Sequence, residues 1–126
     1  MTEEIQETAE RYAEYAQKLF AIKKIHNGIM HEMQLTSYQD FNLQDLRDEL
    51  ETMREIMNRF AVIHAGICAD FNRRNMNPDD DFWKECGIPI LRFVSWAEEL
   101  KHLLSSDIQL LRDLIARKEK QEREQK

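Results

Sequence analysis

Apolar side chains recur every three or four residues along most of the chain, which is the periodicity of an amphipathic helix. The first row is Ile5, Ala9, Tyr12, Ala16, Leu19, Ile22, Ile25, Ile29 and Met33. The second row is Leu43, Leu46, Leu50, Met53, Met57, Phe60, His64, Ile67 and Phe71. These rows predict helices over residues 3–35 and 43–73, joined by a polar turn at 36–42.

Residues that begin and end helices divide the rest of the chain. Asn42 is placed to cap the second helix, because its side-chain oxygen can accept from the free amides of the next turn. Asn77 and Pro78 predict the start of a short helix that ends near Gly87. Pro89 then opens a third long helix, whose apolar row is Ile90, Val94, Ala97, Leu100, Leu104, Ile108, Leu111 and Ile115.

The charged end of the chain has little to bury. Apolar residues essentially stop after Ile115. We therefore expect residues 1–116 to form a single helical domain and residues 117–126 to be a charged, frayed tail.

These elements predict an all-α fold built on an elongated antiparallel helical hairpin. A short helix and a third long helix complete a three-helix, coiled-coil-like bundle. A turn centred near Gln39 would place Ala13 opposite Ala65, with Ala9 opposite Ala69. It would also bring Glu32 near Arg47 and Lys23 and Lys24 near Glu55.

Composition limits the classes of function. The chain has 126 residues, 18 Lys and Arg, 24 Asp and Glu, and a formal net charge of −6. This balance disfavours a direct nucleic-acid or anionic-membrane binder. Two cysteines are too few for a disulfide scaffold, and the acidic, polar residues 2–10 do not resemble a signal peptide, so we expect a cytoplasmic protein.

Candidate chemistry in the sequence is sparse. His64 and Cys68 are one helical turn apart and could form part of a metal or small-ligand site with Glu14, although zinc requires three or four ligands. Glu99 and His102 form a single Glu-x-x-His unit, whereas di-iron bundles need two. No nucleophile with a base at motif spacing and no glycine-rich phosphate loop is present. We therefore expect a protein that is not an enzyme and binds no metal or cofactor.

The segment 82–97 is too apolar for a helix that buries one stripe. Its aromatic and aliphatic side chains could fill the centre of the bundle or form an interface, and the sequence leaves these two alternatives open. The predicted partner-binding residues are Phe82, Trp83, Ile88, Leu91, Phe93, Trp96, Leu100 and Leu103.

Three functions follow from these patterns. The favoured one is a helical protein–protein interaction module, an adaptor, assembly factor or inhibitor, that forms a homodimer. The second is a metal- or small-ligand-binding bundle around His64 and Cys68. The third is an acidic nucleic-acid mimic that inhibits a nucleic-acid-binding protein. The last 15 residues carry six basic and four acidic side chains, so residues 1–111 have a net charge of −8.

Overall fold

The computed structural model describes residues 2–35 and 41–125, and these are helical apart from short connections. The helices are α1 (Glu3–Leu35), α2 (Leu43–Arg73), α3 (Asp81–Cys86) and α4 (Ile90–Glu124). This confirms the all-α class and the bounds of the first two helices. Most of the predicted turn, residues 36–40, lies outside the described residues.

The three long helices form a bundle in which α2 runs antiparallel to both of its neighbours. Glu4 at the start of α1 pairs with Arg74 just after α2, and Tyr12 bonds Asp70. Arg47 near the start of α2 pairs with Glu119 near the end of α4. The backbones of α2 and α4 pack closely along their length, whereas α1 lies farther from both.

The buried side of α1 differs from the predicted row. Its buried residues are Ile5, Thr8, Tyr12, Leu19, Ile22, His26, Ile29 and Met33, in alternating steps of three and four with one step of seven. Ile25 is 38% exposed, while His26 is 3% exposed. The prediction failed there because Thr8 and His26 are polar and were passed over for adjacent apolar residues.

The predicted contact between Ala13 and Ala65 is also wrong. Ala13 and Ala65 are both exposed, so they do not form a small-residue contact between α1 and α2. The close approach lies instead at Gly66, where an added Cβ would clash with the Tyr15 hydroxyl. Tyr12 and Tyr15, rather than alanines, thus lie on the side of α1 that faces α2.

The helix ends follow local hydrogen bonding. The Asn42 side chain accepts from the Asp45 amide at 2.8 Å, as predicted. Helix α3 begins later than predicted, because Asp80 rather than Asn77 caps it and accepts from the Phe82 amide at 2.9 Å. Gly87 ends α3 at a φ of 70°, a left-handed conformation that favours glycine.

Helix α4 continues past the point where fraying was expected. It remains helical to Glu124, and the Lys118 ammonium donates to the Phe41 carbonyl at the start of α2. The first turns of α2 thus give the charged end of α4 something to contact. Across residues 2–35 and 41–125, no helix is both long and apolar enough to cross a bilayer.

Candidate protein interface

The predicted partner-binding residues separate into core and surface. Trp83, Ile88 and Leu100 are buried, at 1%, 7% and 2% exposure, so they belong to the core of the chain. The Trp83 ring packs edge-on against Tyr12 at 6.0 Å between ring centroids. Half-buried Phe93 packs the same way against Tyr12 at 5.2 Å. Much of the aromatic segment therefore fills the space between α1, α3 and α4.

The remaining predicted residues reach the surface on different sides. Leu91 is 56% exposed and Leu103 is 36% exposed. Phe82 is half-buried and covered by the Arg74 guanidinium, 3.6 Å from its ring centroid. Trp96 is also half-buried, and its free side faces a groove. Trp96 and Leu103 are thus the predicted residues that share an accessible side of α4.

The first groove, here the α1–α4 groove, has a volume of about 530 Å³. It is lined by Phe20, Lys23, Lys24, Asn27 and Trp96. Phe20 is 65% exposed, an unusual position for a phenylalanine. The sequence contained a signal for it, because a single buried stripe cannot accommodate both Leu19 and its neighbour Phe20.

The second groove, here the α1–α2 groove, lies on the other side of α1 and has a volume of about 460 Å³. Val62 of α2 is 73% exposed and Ile25 of α1 is 38% exposed. The full lining is Lys18, Ala21, Ile22, Ile25, Arg59, Val62 and Ile63. Sequence reasoning missed this groove because it depends on the distance between two helices.

Charge is distributed unevenly around these grooves. None of the 24 acidic residues lies within 15–31 of α1 or 56–69 of α2. We call these two segments the acid-free band. Its basic residues are Lys18, Lys23, Lys24 and Arg59. These two segments are therefore basic and partly apolar, although the chain as a whole is acidic.

A polar network ties the N-terminal half of α1 to α2. Buried Asp70 accepts from Arg11 at 2.8 Å, from the Tyr12 hydroxyl at 2.9 Å and from Arg73 at 2.8 Å. Burial, together with the hydrogen bond to Asp70, raises the pKa of Tyr12 well above its ordinary value. Burial tends to lower the pKa of Arg11, but the hydrogen bond and charge of Asp70 outweigh it and raise the value.

This network borders a cleft of about 220 Å³ that includes Glu4, Glu7 and Arg74. Arg74 is already paired with Glu4 at 3.2 Å, and both oxygens of Asp70 already accept hydrogen bonds. Asp70, Arg11, Glu4 and Arg74 thus join α1 to α2 and the residue after it, which is a structural role.

Two histidines near the core contact α4. His64 is half-buried, stacks on Phe60 with 5.3 Å between ring centroids and bonds Glu98 of α4 at 3.1 Å. His26 is the buried histidine, and it contacts Asp107 of α4 and the Asn27 side chain. Within the described part of the chain, no three His, Cys, Asp or Glu side chains are arranged to hold a metal ion.

Comparison with protein families, curated proteins and solved structures finds no match to this chain. The class that the fold defines is an all-α bundle of three long helices with a short connecting helix. Within it, the two grooves beside α1 combine basic side chains with the strongly exposed apolar residues Phe20 and Val62.

Proposed function

We propose that the protein is a non-enzymatic helical interaction module that self-associates through the α1–α4 groove. The observation that carries this proposal is the exposure of Phe20, at 65%, beside the half-buried Trp96. Phenylalanine and tryptophan in one accessible groove are typical of the anchors at protein interfaces. Covering them with a second chain removes apolar surface from water, which is the main driving force of association.

The apolar surface extends along α4. Leu103 follows Trp96 by seven residues, two helical turns, so the two side chains lie on the same side of the helix. Leu103 is 36% exposed, so it remains available for contact. The apolar stripe from Trp96 to Leu103 is about 10 Å long at 1.5 Å per residue.

Charge on this side suits contact between identical copies. Lys23 and Lys24 line the groove from α1, and exposed Glu99 lies between Trp96 and Leu103 on α4. A two-fold dimer presents the same surface from both copies, so charges of both signs on that surface can pair across it. Lys23 and Lys24 of one copy can pair with Glu99 of the other in such a contact.

The polar clusters support a binding role over a catalytic one. Asp70 and His26 each join α1 to another helix, through Arg11 and Tyr12 in one case and Asp107 in the other. The acid-free band also weighs against an acidic nucleic-acid mimic, which requires a continuous negative face.

Sedimentation velocity over a range of protein concentrations tests the proposal. We expect the wild-type chain to form a dimer and Phe20→Ser to sediment as a monomer with unchanged helicity by circular dichroism. Leu91→Ser is the matched control, since Leu91 is 56% exposed and lies outside both grooves. A wild-type chain that stays monomeric, or a Phe20→Ser variant that dimerises like wild type, contradicts the proposal.

A further inference from the structure

The α1–α2 groove has a cation on each of its two helices. Its charged lining residues are Lys18 on α1 and Arg59 on α2, and no carboxylate lines it. Val62, Ile25 and Ala21 supply exposed apolar surface between these two cations. The groove is thus an apolar channel with a positive residue on each wall.

These two cations are available to a ligand. Arg59 forms no ion pair with any described residue. The Lys18 ammonium lies 2.9 Å from Glu14 of the same helix, but this pair is exposed on both sides. Exposed pairs of this kind are weak, so Lys18 can exchange Glu14 for an acidic ligand group.

A second copy of this chain is a poor occupant. In a two-fold contact through this groove, Lys18 and Arg59 of one copy would meet the same cations of the other, and like charges at an interface oppose association. The groove also lies on the opposite side of α1 from Phe20, which lines the α1–α4 groove together with Trp96 of α4. A dimer formed through the α1–α4 groove would therefore leave the α1–α2 groove open.

We propose that the α1–α2 groove binds an amphipathic helix of a different protein, with acidic residues flanking its apolar anchors. Apolar side chains of that helix pack on Val62 and Ile25, and carboxylates on its flanks pair with Arg59 and Lys18. Helix-in-groove recognition of this kind uses apolar residues spaced i, i+4 and i+7. The groove runs from Lys18 to Ile25, about 10 Å or two helical turns at 1.5 Å per residue, which matches that spacing.

Fluorescence anisotropy with two designed peptides tests the inference on the full chain. The first probe is a labelled amphipathic helix with leucines at i, i+4 and i+7 and flanking glutamates; its twin carries lysines in place of the glutamates. We expect the acidic peptide to bind at least about tenfold more tightly than its twin, and less tightly as salt rises. Equal affinities, or binding of neither peptide, would overturn the inference.

Two charge reversals locate the binding site. Arg59→Glu should lower the affinity for the acidic peptide at least about tenfold and raise the affinity for its lysine twin. Arg54→Glu is the matched control, because it makes the same charge change on an exposed residue of α2 outside this groove. Equal weakening by both variants would mean that overall charge alone attracts the peptide, and would reject the assignment.

A third variant tests the apolar part of the contact. Val62→Ser removes an apolar side chain that is 73% exposed, so the fold should be retained while peptide affinity falls severalfold. Repeating the titration on Phe20→Ser separates the two proposals. We expect that variant to bind the acidic peptide as the wild type does, whether or not the wild type dimerises. Loss of peptide binding there would place the peptide in the α1–α4 groove instead.

Discussion

The α2–α4 side and the α1 side of the bundle are built differently. The backbones of α2 and α4 pack closely, around fully buried residues such as Phe60, Ala97 and Leu104. Helix α1 is held farther out by large side chains such as Tyr12, and a groove remains along each of its flanks. The α2–α4 pair therefore supplies most of the packing of the bundle, whereas α1 supplies the two grooves.

The largest effect should come from a cavity on the α2–α4 side. Phe60 is 1% exposed and stacks on His64, which bonds α4. Phe60→Ala should lower the free energy of unfolding by about 3–5 kcal/mol. Urea denaturation followed by circular dichroism measures the change. Val62→Ala, two residues away and 73% exposed, should lie within about 0.5 kcal/mol of wild type. Similar losses of unfolding free energy for the two variants would contradict the expected difference between the packed α2–α4 side and the groove beside α1.

A smaller effect should follow from weakening the polar tie between α1 and α2. Asp70→Asn keeps the side-chain shape but removes the negative charge that Arg11, Tyr12 and Arg73 contact. We expect a loss of about 1–3 kcal/mol, reduced from that of a fully buried pair because Arg11 and Arg73 are partly exposed. Thermal unfolding measures it, and an unchanged melting temperature would show that α1 is held by apolar packing alone.

The same tie should give the protein an alkaline limit. The pKa of Tyr12 is raised from its ordinary value of 10.0, so above about pH 10 the unfolded state loses this proton while the folded state keeps it. Stability is therefore fully present below pH 10 and should fall above it, by up to about 1.4 kcal/mol per pH unit from this group. Tyr12→Phe should lose about 1 kcal/mol at neutral pH and show a shallower alkaline decline. If the stability of Tyr12→Phe and of the wild type fell equally steeply above pH 10, Tyr12 would not be the group responsible for the decline.

The smallest effect concerns an acidic group on α2. Burial and then the neighbouring charge of Glu32 raise the pKa of Glu49, so this group favours folding below its unfolded pKa and loses that contribution as pH rises. Glu49→Gln should therefore raise the melting temperature slightly at pH 7 and leave it unchanged near pH 3. Glu51→Gln, on an exposed neighbour, is the control. A lower melting temperature for Glu49→Gln than for the wild type at pH 7 would contradict this prediction.

The sequence was informative where local rules decide the structure. Asn42 begins α2 by a side-chain hydrogen bond, and Gly87 ends α3 by its left-handed backbone conformation. Both positions could therefore be predicted from residue type. The row on α2 was recognisable because its buried side is almost wholly apolar. On α1, exposed Ile25 and buried His26 reverse the usual preferences, and only the packed bundle distinguishes the two.

The candidate interface was harder to predict than the fold. Trp96 and Leu103 were predicted and lie on an accessible side of α4, whereas Trp83 and Leu100 are core. Phe20 and Val62 were not predicted as surface anchors. Periodicity along one helix indicates that both lie outside the buried row, but it carries no information on the spacing between helices that leaves a groove beside each of them.

Site-specific photocross-linking tests the central claim most directly, namely that the flank of α1 facing α4 is where two copies meet. A benzophenone-bearing phenylalanine analogue at position 20, and separately at position 91, would be irradiated in the 126-residue chain. We predict a covalent dimer from position 20, with cross-linked peptides from the segment around Trp96 and Leu103 of the second copy, and little product from position 91. No dimer from position 20, or equal yields from both positions, would contradict it.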